Sequence, residues 1–272
     1  MNSDQFDFYL TGLFEGDGHI WMPSSNIKKK ANPRFCITTS VKNKPFIEFL
    51  QKSLGGYGFI RNKVSENALV LTISNKLGLQ LIVKKMNGKF RTPKIYKFYE
   101  LIDWLNTQDP LVNHLKLPTD CSSLISNSWL SGFLDADGCF YVRVTEGLRK
   151  NHIAVRVTVD QRIYDSGGRS YEPFMKNLKD CFCASLTTVT KQNSNTYFHL
   201  SISSLKSVNL LDNYLKNYNL LTSKRLDYLN WSEVLFLINN NQHYQNISSI
   251  KFLKSQMNSR RSVFDWNFLS SL

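Results

Sequence analysis

The sequence predicts an α+β protein made of two similar halves. A nine-residue segment occurs twice, at Leu10–Gly18 and Leu130–Gly138. Both copies read apolar, small, glycine, apolar, apolar, acid, small, acid, glycine. The second acid of the first copy, Asp17, lies 120 residues before its counterpart Asp137 in a chain of 272 residues. Because the same order of helices and strands follows each copy, we expect a duplicated domain with one such carboxylate in each half.

The first half reads as a helix, two strands, a helix, two strands and two helices. Phe35 and Ile37 alternate with polar residues, which indicates a half-buried strand, and Gly55 and Gly56 end the helix that follows it. The predicted segments in chain order are 4–16, 19–27, 34–41, 44–54, 57–64, 68–74, 76–87 and 94–106.

The second half repeats this order. Its predicted segments are 127–136, 139–147, 152–161, 172–182, 185–191, 196–203, 205–217 and 224–239. Val70–Ser74 corresponds to His199–Ser203, and Arg91–Lys94 corresponds to Leu221–Lys224. The distance from motif acid to lysine is 77 residues in the first half and 87 in the second, which indicates an inserted loop around Asp165–Arg169.

These matches divide the chain into four parts. Residues 1–106 form the first half and 127–241 the second, and the prolines and Ser/Thr residues of 107–126 predict a linker between them. Residues 242–272 have no counterpart in the first half and are expected to form a helical extension.

Composition narrows the class of protein. A net charge of +13 and a pI near 9.5 are typical of a protein with a polyanionic partner, most often nucleic acid. No apolar run approaches the roughly 20 residues that span a bilayer, and polar residues follow Met1, so we expect a soluble, intracellular protein without a membrane partner. Asn, Lys, Ile, Phe and Tyr have A/T-rich codons and are abundant, which favours an organelle-encoded, mitochondrial origin.

The repeated segment itself predicts a helix contact. Small residues recur four positions apart in both copies: Gly12 with Gly16, and Gly132 with Ala136. Small residues on one helix face let two backbones approach closely, which would bring Asp17 and Asp137 together. Because like charges at helix C-termini are unfavourable, a divalent cation is the simplest remedy, and Mg²⁺ suits oxygen ligands.

The paired nine-residue segments resemble the LAGLIDADG motif of homing endonucleases, in the single-chain form with two motifs. The resemblance covers roughly residues 4–240. It implies two pseudo-symmetric αββαββα halves with the motif helices at the interface. It also implies two four-stranded antiparallel sheets that form a DNA-binding saddle, which is reasonable because a β-ribbon fits the major groove.

The resemblance also implies roles for motif residues. Asp17 and Asp137 would be the metal-binding acids, assisted by the carbonyls of Gly16 and Ala136. Two or three Mg²⁺ ions would support phosphodiester hydrolysis on both DNA strands and leave short 3′ overhangs, with Mn²⁺ or Ca²⁺ able to substitute for binding. The other motif acids, Glu15 and Asp135, would serve helix-end and interface roles.

Three further residues are implied near the reacting phosphates. Lys94 and Lys224 would supply electrostatic stabilisation or activate water. Gln161 would hold the water network in the second half, where the first half offers Ser40 or Val41 at the matching place. Unequal active sites are therefore expected.

Outward-facing strand positions and basic loops are the predicted DNA contacts. Those of the first half are His19, Trp21, Ser25, Lys28, Lys29, Lys30, Arg34, Thr38, Ser40, Arg61 and Lys63. Those of the second half are Tyr141, Arg143, Thr145, Arg149, Lys150, Arg156, Thr158, Tyr197, His199 and Ser201.

Three hypotheses for function follow. The first is a monomeric, intron-encoded endonuclease that is site-specific and dependent on Mg²⁺. The second is an RNA maturase that assists group I intron splicing without, or besides, DNA cleavage. The third is a two-carboxylate glycosidase. The charge of +13 disfavours it, and so do equivalent surroundings for two acids whose pKa values such an enzyme must separate.

Overall fold

The computed structural model describes residues 2–24, 31–108, 113–145, 147, 152–191 and 195–271. Two compact units are present, one made of Met1–Ala136 with Trp266–Leu272 and the other of Asp137–Asp265. The predicted contacts that lie outside the described residues are Ser25, Lys28, Lys29, Lys30, Arg149 and Lys150.

The first unit contains one four-stranded antiparallel sheet with strand order β1-β2-β4-β3. Its elements are α1 (Ser3–Asp17), β1 (Gly18–Trp21), β2 (Arg34–Ser40), α2 (Lys44–Ser53), β3 (Phe59–Lys63), β4 (Ala68–Ile73), α3 (Lys76–Met86), α4 (Ile95–Gln108) and α5 (Trp129–Asp137), whose last residue begins the second unit. The rings of Phe14 and Phe35 stack with centroids 4.8 Å apart, which joins α1 to the buried face of the sheet.

Local signals in the sequence set the ends of these elements. The Asn2 side chain accepts a hydrogen bond from the backbone nitrogen of Gln5, and Asn75 does the same for Gly78, so α1 and α3 begin at capped residues. After α2, Gly55 and Gly56 have φ values of 73° and 72°. This left-handed conformation favours glycine and ends the helix where the sequence predicts.

The second unit contains a second antiparallel sheet with the equivalent order β5-β6-β8-β7. Its elements are β5 (Gly138–Thr145), β6 (His152–Arg162), α6 (Glu172–Phe182), β7 (Ser185–Thr190), β8 (Thr196–Ile202), α7 (Leu205–Asn217), α8 (Lys224–Asn239) and α9 (Ile247–Ser255). Phe140 packs edge-on against Trp231 with centroids 5.7 Å apart. The predicted α+β class with two four-stranded antiparallel sheets is confirmed.

Strand register aligns the two sheets residue by residue. Gly18 pairs with Ile37 in the first sheet, as Gly138 pairs with Val159 in the second. By this register the residue two places after Ile37, Thr39, matches Gln161. The expectation that Ser40 or Val41 matches Gln161 is wrong, since only the pairing of strands fixes the alignment. Val41 also lies outside β2, in a 3-10 turn.

Two segments differ from the sequence prediction or extend it. β1 ends at Trp21 and the following residues 22–24 are not in a strand, whereas the sequence predicts a strand over 19–27. Within the predicted extension, α9 packs against α8, and Ile250 and Met257 are buried. Within the described ranges, no helix has the length and apolar character needed to cross a membrane.

Candidate active site and nucleic-acid interface

The helices that carry the two motifs, α1 and α5, pack through their central glycines. A Cβ atom on Gly12 would overlap the carbonyl oxygen of Trp129, and one on Gly132 would overlap that of Tyr9. The two contacts are equivalent, since both pairs of positions differ by 120 residues. Glycine is therefore required at both positions by backbone contact, as the small-residue spacing predicts.

The first acid of each motif is tied into this helix pair. Trp129 Nε1 donates to Glu15 Oε2 at 2.7 Å, and the Tyr9 hydroxyl donates to Asp135 Oδ2 at 2.6 Å. Both carboxylates are buried. Their predicted interface roles agree with this geometry, in which neither acid faces solvent.

Glu15 also holds the segment that precedes α4. Its carboxylate accepts hydrogen bonds from the backbone nitrogens of Arg91 and Thr92 and from the Thr92 hydroxyl. Burial raises the pKa of Glu15 to about 7, although these bonds and the one from Trp129 lower it. The Arg91 guanidinium in turn binds Asp120 and Ser122 in the predicted linker.

The second acid of each motif is placed differently. Asp17 and Asp137 end α1 and α5, and both are only half-buried, whereas Glu15 and Asp135 are enclosed. Gln161 Nε2 donates to Asp137 Oδ2 at 3.4 Å, which places this predicted residue at the motif acid. Its counterpart Thr39 instead accepts a hydrogen bond from Asn43 Nδ2 at 2.7 Å. The surroundings of the two acids therefore differ.

The Lys94 ammonium lies at the C-terminal end of α1. Its Nζ atom donates to the carbonyl oxygens of Phe14, Gly16 and Gly18 at 3.2, 2.7 and 2.7 Å. A cation is favourable at this negative end of a helix dipole. Sequence reasoning predicted proximity to DNA phosphates for Lys94 and missed its bonds to the motif helix, including one to the predicted metal ligand Gly16.

The two lysines lie at the starts of helices, Lys94 directly before α4 and Lys224 as the first residue of α8. The backbone nitrogen of Lys94 donates to Thr92 Oγ1 at 3.4 Å, and that of Lys224 donates to Thr222 Oγ1 at 3.2 Å. Both lysines are half-buried. The matched threonines support the alignment of the two halves at this point.

The ends of the motif helices carry the candidate metal ligands. In the part of the chain that the structure describes, no group of three or more His, Cys, Asp or Glu residues could hold a metal ion. The motif-helix ends offer oxygen donors alone. Mg²⁺ is commonly held by one or two carboxylates with substrate phosphates and water, and each motif-helix end, taken by itself, offers oxygen donors of that kind.

The exposed face of the first sheet is a basic concavity. Among the residues that line it are six predicted DNA contacts: His19, Trp21, Arg34, Thr38, Arg61 and Lys63. Ser40, also predicted, is half-buried at the end of β2. Sequence reasoning missed Cys36, Phe59, Glu66, Val70 and Thr72 in the same lining. The side chain of Phe59 is 55% exposed, and its alternation with Arg61 and Lys63 was the available signal.

The exposed face of the second sheet carries both signs of charge. Tyr141, Arg143, Thr145 and Arg156 are exposed as predicted, and Tyr197, His199 and Ser201 are half-buried. Thr158 lies on the same outward face of β6 as Arg156, but it is only 6% exposed because β6 is an interior strand and Thr158 lies between Cys139 and Ser201.

An acid that the sequence did not single out as a contact lies on this second face. The carboxylate oxygens of Asp160 lie 2.7 Å from His199 Nδ1 and 2.9 Å from Lys191 Nζ. Burial raises the pKa of Asp160, but its hydrogen bonds to His199 and Lys191 outweigh this, so the pKa lies below its ordinary value. The carboxylate is therefore charged at neutral pH.

A family model described as LAGLIDADG endonuclease matches residues 10–105 and again residues 130–235. The chain belongs to the LAGLIDADG endonuclease family. This membership confirms the resemblance found in the sequence and makes the protein a member of a family of DNA-cleaving hydrolases.

Curated relatives of this LAGLIDADG endonuclease include intron-encoded proteins. The intron-encoded DNA endonuclease aI3 of Saccharomyces cerevisiae is 27% identical over 308 residues, covering 100% of this chain and 74% of the relative. A cox1 intron-2 protein of Schizosaccharomyces pombe is 27% identical over 245 residues, covering 89% and 69%. The RNA maturase bI4 of S. cerevisiae is 29% identical over 135 residues, covering 49% of this chain and 19% of the maturase.

Solved structures share the fold of this LAGLIDADG endonuclease. The homing endonuclease I-GzeII in complex with its DNA target gives a TM-score of 0.69 at 17% identity, covering 94% of this chain and 99% of that one. The meganuclease I-AabMI bound to uncleaved DNA gives 0.70 at 20% identity, covering 93% and 99%.

Proposed function

We propose that this protein is a site-specific homing endonuclease. It makes a double-strand break in a long DNA target by Mg²⁺-dependent phosphodiester hydrolysis and leaves short 3′ overhangs. The observation that carries the proposal is the equivalent placement of Asp17 and Asp137, each half-buried at the end of its motif helix. The relative aI3, named a DNA endonuclease, supports it, as do related folds crystallised with DNA targets.

In this proposal Asp17 and Asp137 supply the metal carboxylates, and the carbonyls of Gly16 and Ala136 assist them. Bound Mg²⁺, in two or three ions, supplies an activated water and stabilises the leaving oxygen. The crystallisation of the related I-SmaMI with an uncleaved target in calcium supports Ca²⁺ as a cation for binding without cleavage.

The remaining proposed residues orient groups around these acids. Lys94 fixes the end of α1 through its three carbonyl contacts and brings a positive charge to the region of Asp17. Lys224 carries the corresponding charge in the second half. Gln161 orients the Asp137 carboxylate through its 3.4 Å hydrogen bond and supports the neighbouring water network.

The proposed target contacts are the described members of the predicted set, which follow the exposed faces of the two sheets. A strand ribbon fits the DNA major groove, where side chains reach base edges, and the charge of +13 favours binding to the phosphates. The protein acts as a monomer that carries both motifs. The intron origin of its relatives supports an organelle-encoded enzyme that acts in the mitochondrion.

A second activity is RNA maturation of the host group I intron. The relative bI4, named an RNA maturase, favours this candidate, and a basic protein can bind RNA as well as DNA. A splicing assay with Asp17→Asn separates the activities, because only DNA cleavage is proposed to depend on the metal-binding acids.

Cleavage of the intronless target in Mg²⁺ tests the main proposal. Wild type should give a linear product, and Asp17→Asn or Asp137→Asn should abolish it while DNA binding in Ca²⁺ is monitored separately. The exposed acids Asp103 and Asp180 provide Asp→Asn controls, one in each unit. Retained cleavage in both motif variants would overturn the proposal.

A further inference from the structure

An arginine stacks on an aromatic ring at the same place in each sheet. In the first sheet Trp21 pairs with Arg34, and the Arg34 guanidinium carbon lies 4.8 Å from the indole centroid. In the second sheet Tyr141 pairs with Arg156, with the corresponding distance 5.1 Å. Both arginines are exposed.

Register shows that the two pairs are equivalent. Trp21 and Tyr141 each lie four residues after the second acid of their motif. Each is on the edge strand of its sheet and pairs directly with its arginine on the neighbouring strand. The aromatic residue is tryptophan in one half and tyrosine in the other. The feature common to both halves is therefore an arginine guanidinium stacked on an aromatic ring. Stacking on a ring limits the orientations of a guanidinium and leaves its donor edge available.

We infer that Arg34 and Arg156 each read a guanine, one at the matching position of each half of the DNA target. Arginine binds guanine O6 and N7 with two parallel hydrogen bonds in the major groove, and a pre-oriented fork loses less freedom on binding. This inference rests on the proposed function only in that the ligand is a DNA target. It adds which base pair the half-sites share and which residues select it.

A neighbouring row of side chains predicts where the half-sites differ. In the first sheet Thr38, Val70 and Arg61 lie side by side in register. Their counterparts in the second sheet are Asp160, His199 and Thr187. Ionised Asp160 can only accept hydrogen bonds whereas Arg61 can only donate, so the two rows offer different hydrogen-bonding groups to DNA. Base preference is therefore expected to match at the arginine positions but not at this row.

Selection from randomised DNA in Ca²⁺ tests this specificity through binding. Wild type should enrich guanine at one matching position in each half-site. Arg34→Lys should lower the preference for guanine roughly 10- to 100-fold in one half-site, and Arg156→Lys should do so in the other. These variants keep the charge, so the salt dependence of binding should not change. Trp21→Leu should weaken the same preference as Arg34→Lys although the arginine remains.

Arg162→Lys is the matched control, since this exposed arginine lies in β6 like Arg156 but is outside the proposed set of DNA contacts. It should leave the two guanine positions unchanged. Selected sites without guanine at matching positions would overturn the inference. It would also be overturned if Arg34→Lys and Arg156→Lys weakened binding to all sequences equally, because that result indicates contacts with phosphates. Cleavage in Mg²⁺ is measured separately. Matched guanines without cleavage would therefore support the inference and contradict the proposed function.

Discussion

The indole nitrogen of Trp129 donates a 2.7 Å hydrogen bond to the buried carboxylate of Glu15. The reciprocal bond joins Tyr9 to Asp135, so each motif helix donates to the first acid of the other. The two acids of a motif therefore have separate tasks. Glu15 and Asp135 hold the helix pair together, which leaves the half-buried Asp17 and Asp137 for the proposed chemistry.

The glycine contact between the motif helices predicts a large loss of stability on substitution. Gly12→Ala and Gly132→Ala each add a methyl group where the facing backbone carbonyl lies, so the helices must separate. We expect each to lower the free energy of unfolding in urea by about 3 kcal/mol or more. In the control Gly167→Ala, the added methyl meets only the end of the Arg169 side chain, and a loss below about 1 kcal/mol is expected. Equal effects would contradict the close contact.

The raised pKa of Glu15 predicts a pH-dependent stability. The folded-state pKa of about 7 exceeds the ordinary value of 4.5, so the folded state holds this proton more tightly. Stability from this group is present at low pH and is lost as the pH rises from about 4.5 to about 7, by up to about 3 kcal/mol. Glu15→Gln removes the titration. From pH 5 to pH 8, the free energy of unfolding of wild type should therefore fall relative to that of Glu15→Gln. A difference that stays constant over this range would contradict a raised pKa caused by burial.

The Lys94 contacts predict a defect in both catalysis and local order. Lys94→Met removes three hydrogen bonds at the end of α1 and a positive charge beside the proposed metal site. We expect cleavage to slow by roughly 100- to 1,000-fold and amide exchange at Gly18 to increase. Lys94→Arg should recover part of both. Lys97→Met, which breaks a partly exposed pair with Glu100 nearby in the chain, should leave both unchanged. Slow cleavage with unchanged amide exchange at Gly18 would indicate that Lys94 acts on the DNA phosphates and does not hold the end of α1.

The hydrogen bond from Gln161 to Asp137 predicts unequal cleavage of the two strands. Gln161→Ala removes this hydrogen bond from one motif acid, whereas the matching Thr39 binds Asn43 instead. In a supercoiled plasmid assay of Gln161→Ala, we expect nicked product to accumulate before linear product. The exposed Gln242→Ala is the control. Equal slowing of both strands by Gln161→Ala would show that its effect is not confined to one half.

The C-terminal extension is predicted to stabilise the second unit. Arg261 Nε binds the buried carboxylate of Asp227 at 3.0 Å, and Asn258 Nδ2 donates to the Phe140 carbonyl in β5 at 3.1 Å. Asp227→Ala leaves a nearly buried guanidinium without this partner, so we expect a loss of about 3 kcal/mol. Asp103→Ala breaks an exposed pair with Lys116 and should lower stability by less than about 1 kcal/mol. Similar losses in unfolding experiments would contradict a bracing role for the extension.

Much of the fold could be predicted because the informative patterns are local. The repeated motif, the alternation of Phe35 and Ile37 and the glycines after α2 each act over a few residues, and they located the helices and strands. The same alternation placed six predicted contacts in the lining of one concavity. Phe59 was missed there because an aromatic residue in a strand ordinarily indicates the core, and its exposure depends on what packs over the sheet.

The sequence by itself determined the duplication, the order of elements, the two motif acids and the basic character of the protein, because each is written in residue spacing and charge. Only the tertiary structure decided that Thr39 matches Gln161, that Lys94 binds the end of α1 and that Glu15 is enclosed. These depend on strand register and on contacts between residues far apart in the chain, such as the 2.7 Å bond between Lys94 and Gly16. Packing in the folded protein determines such contacts, and they cannot be predicted from the periodicity of residues along the chain.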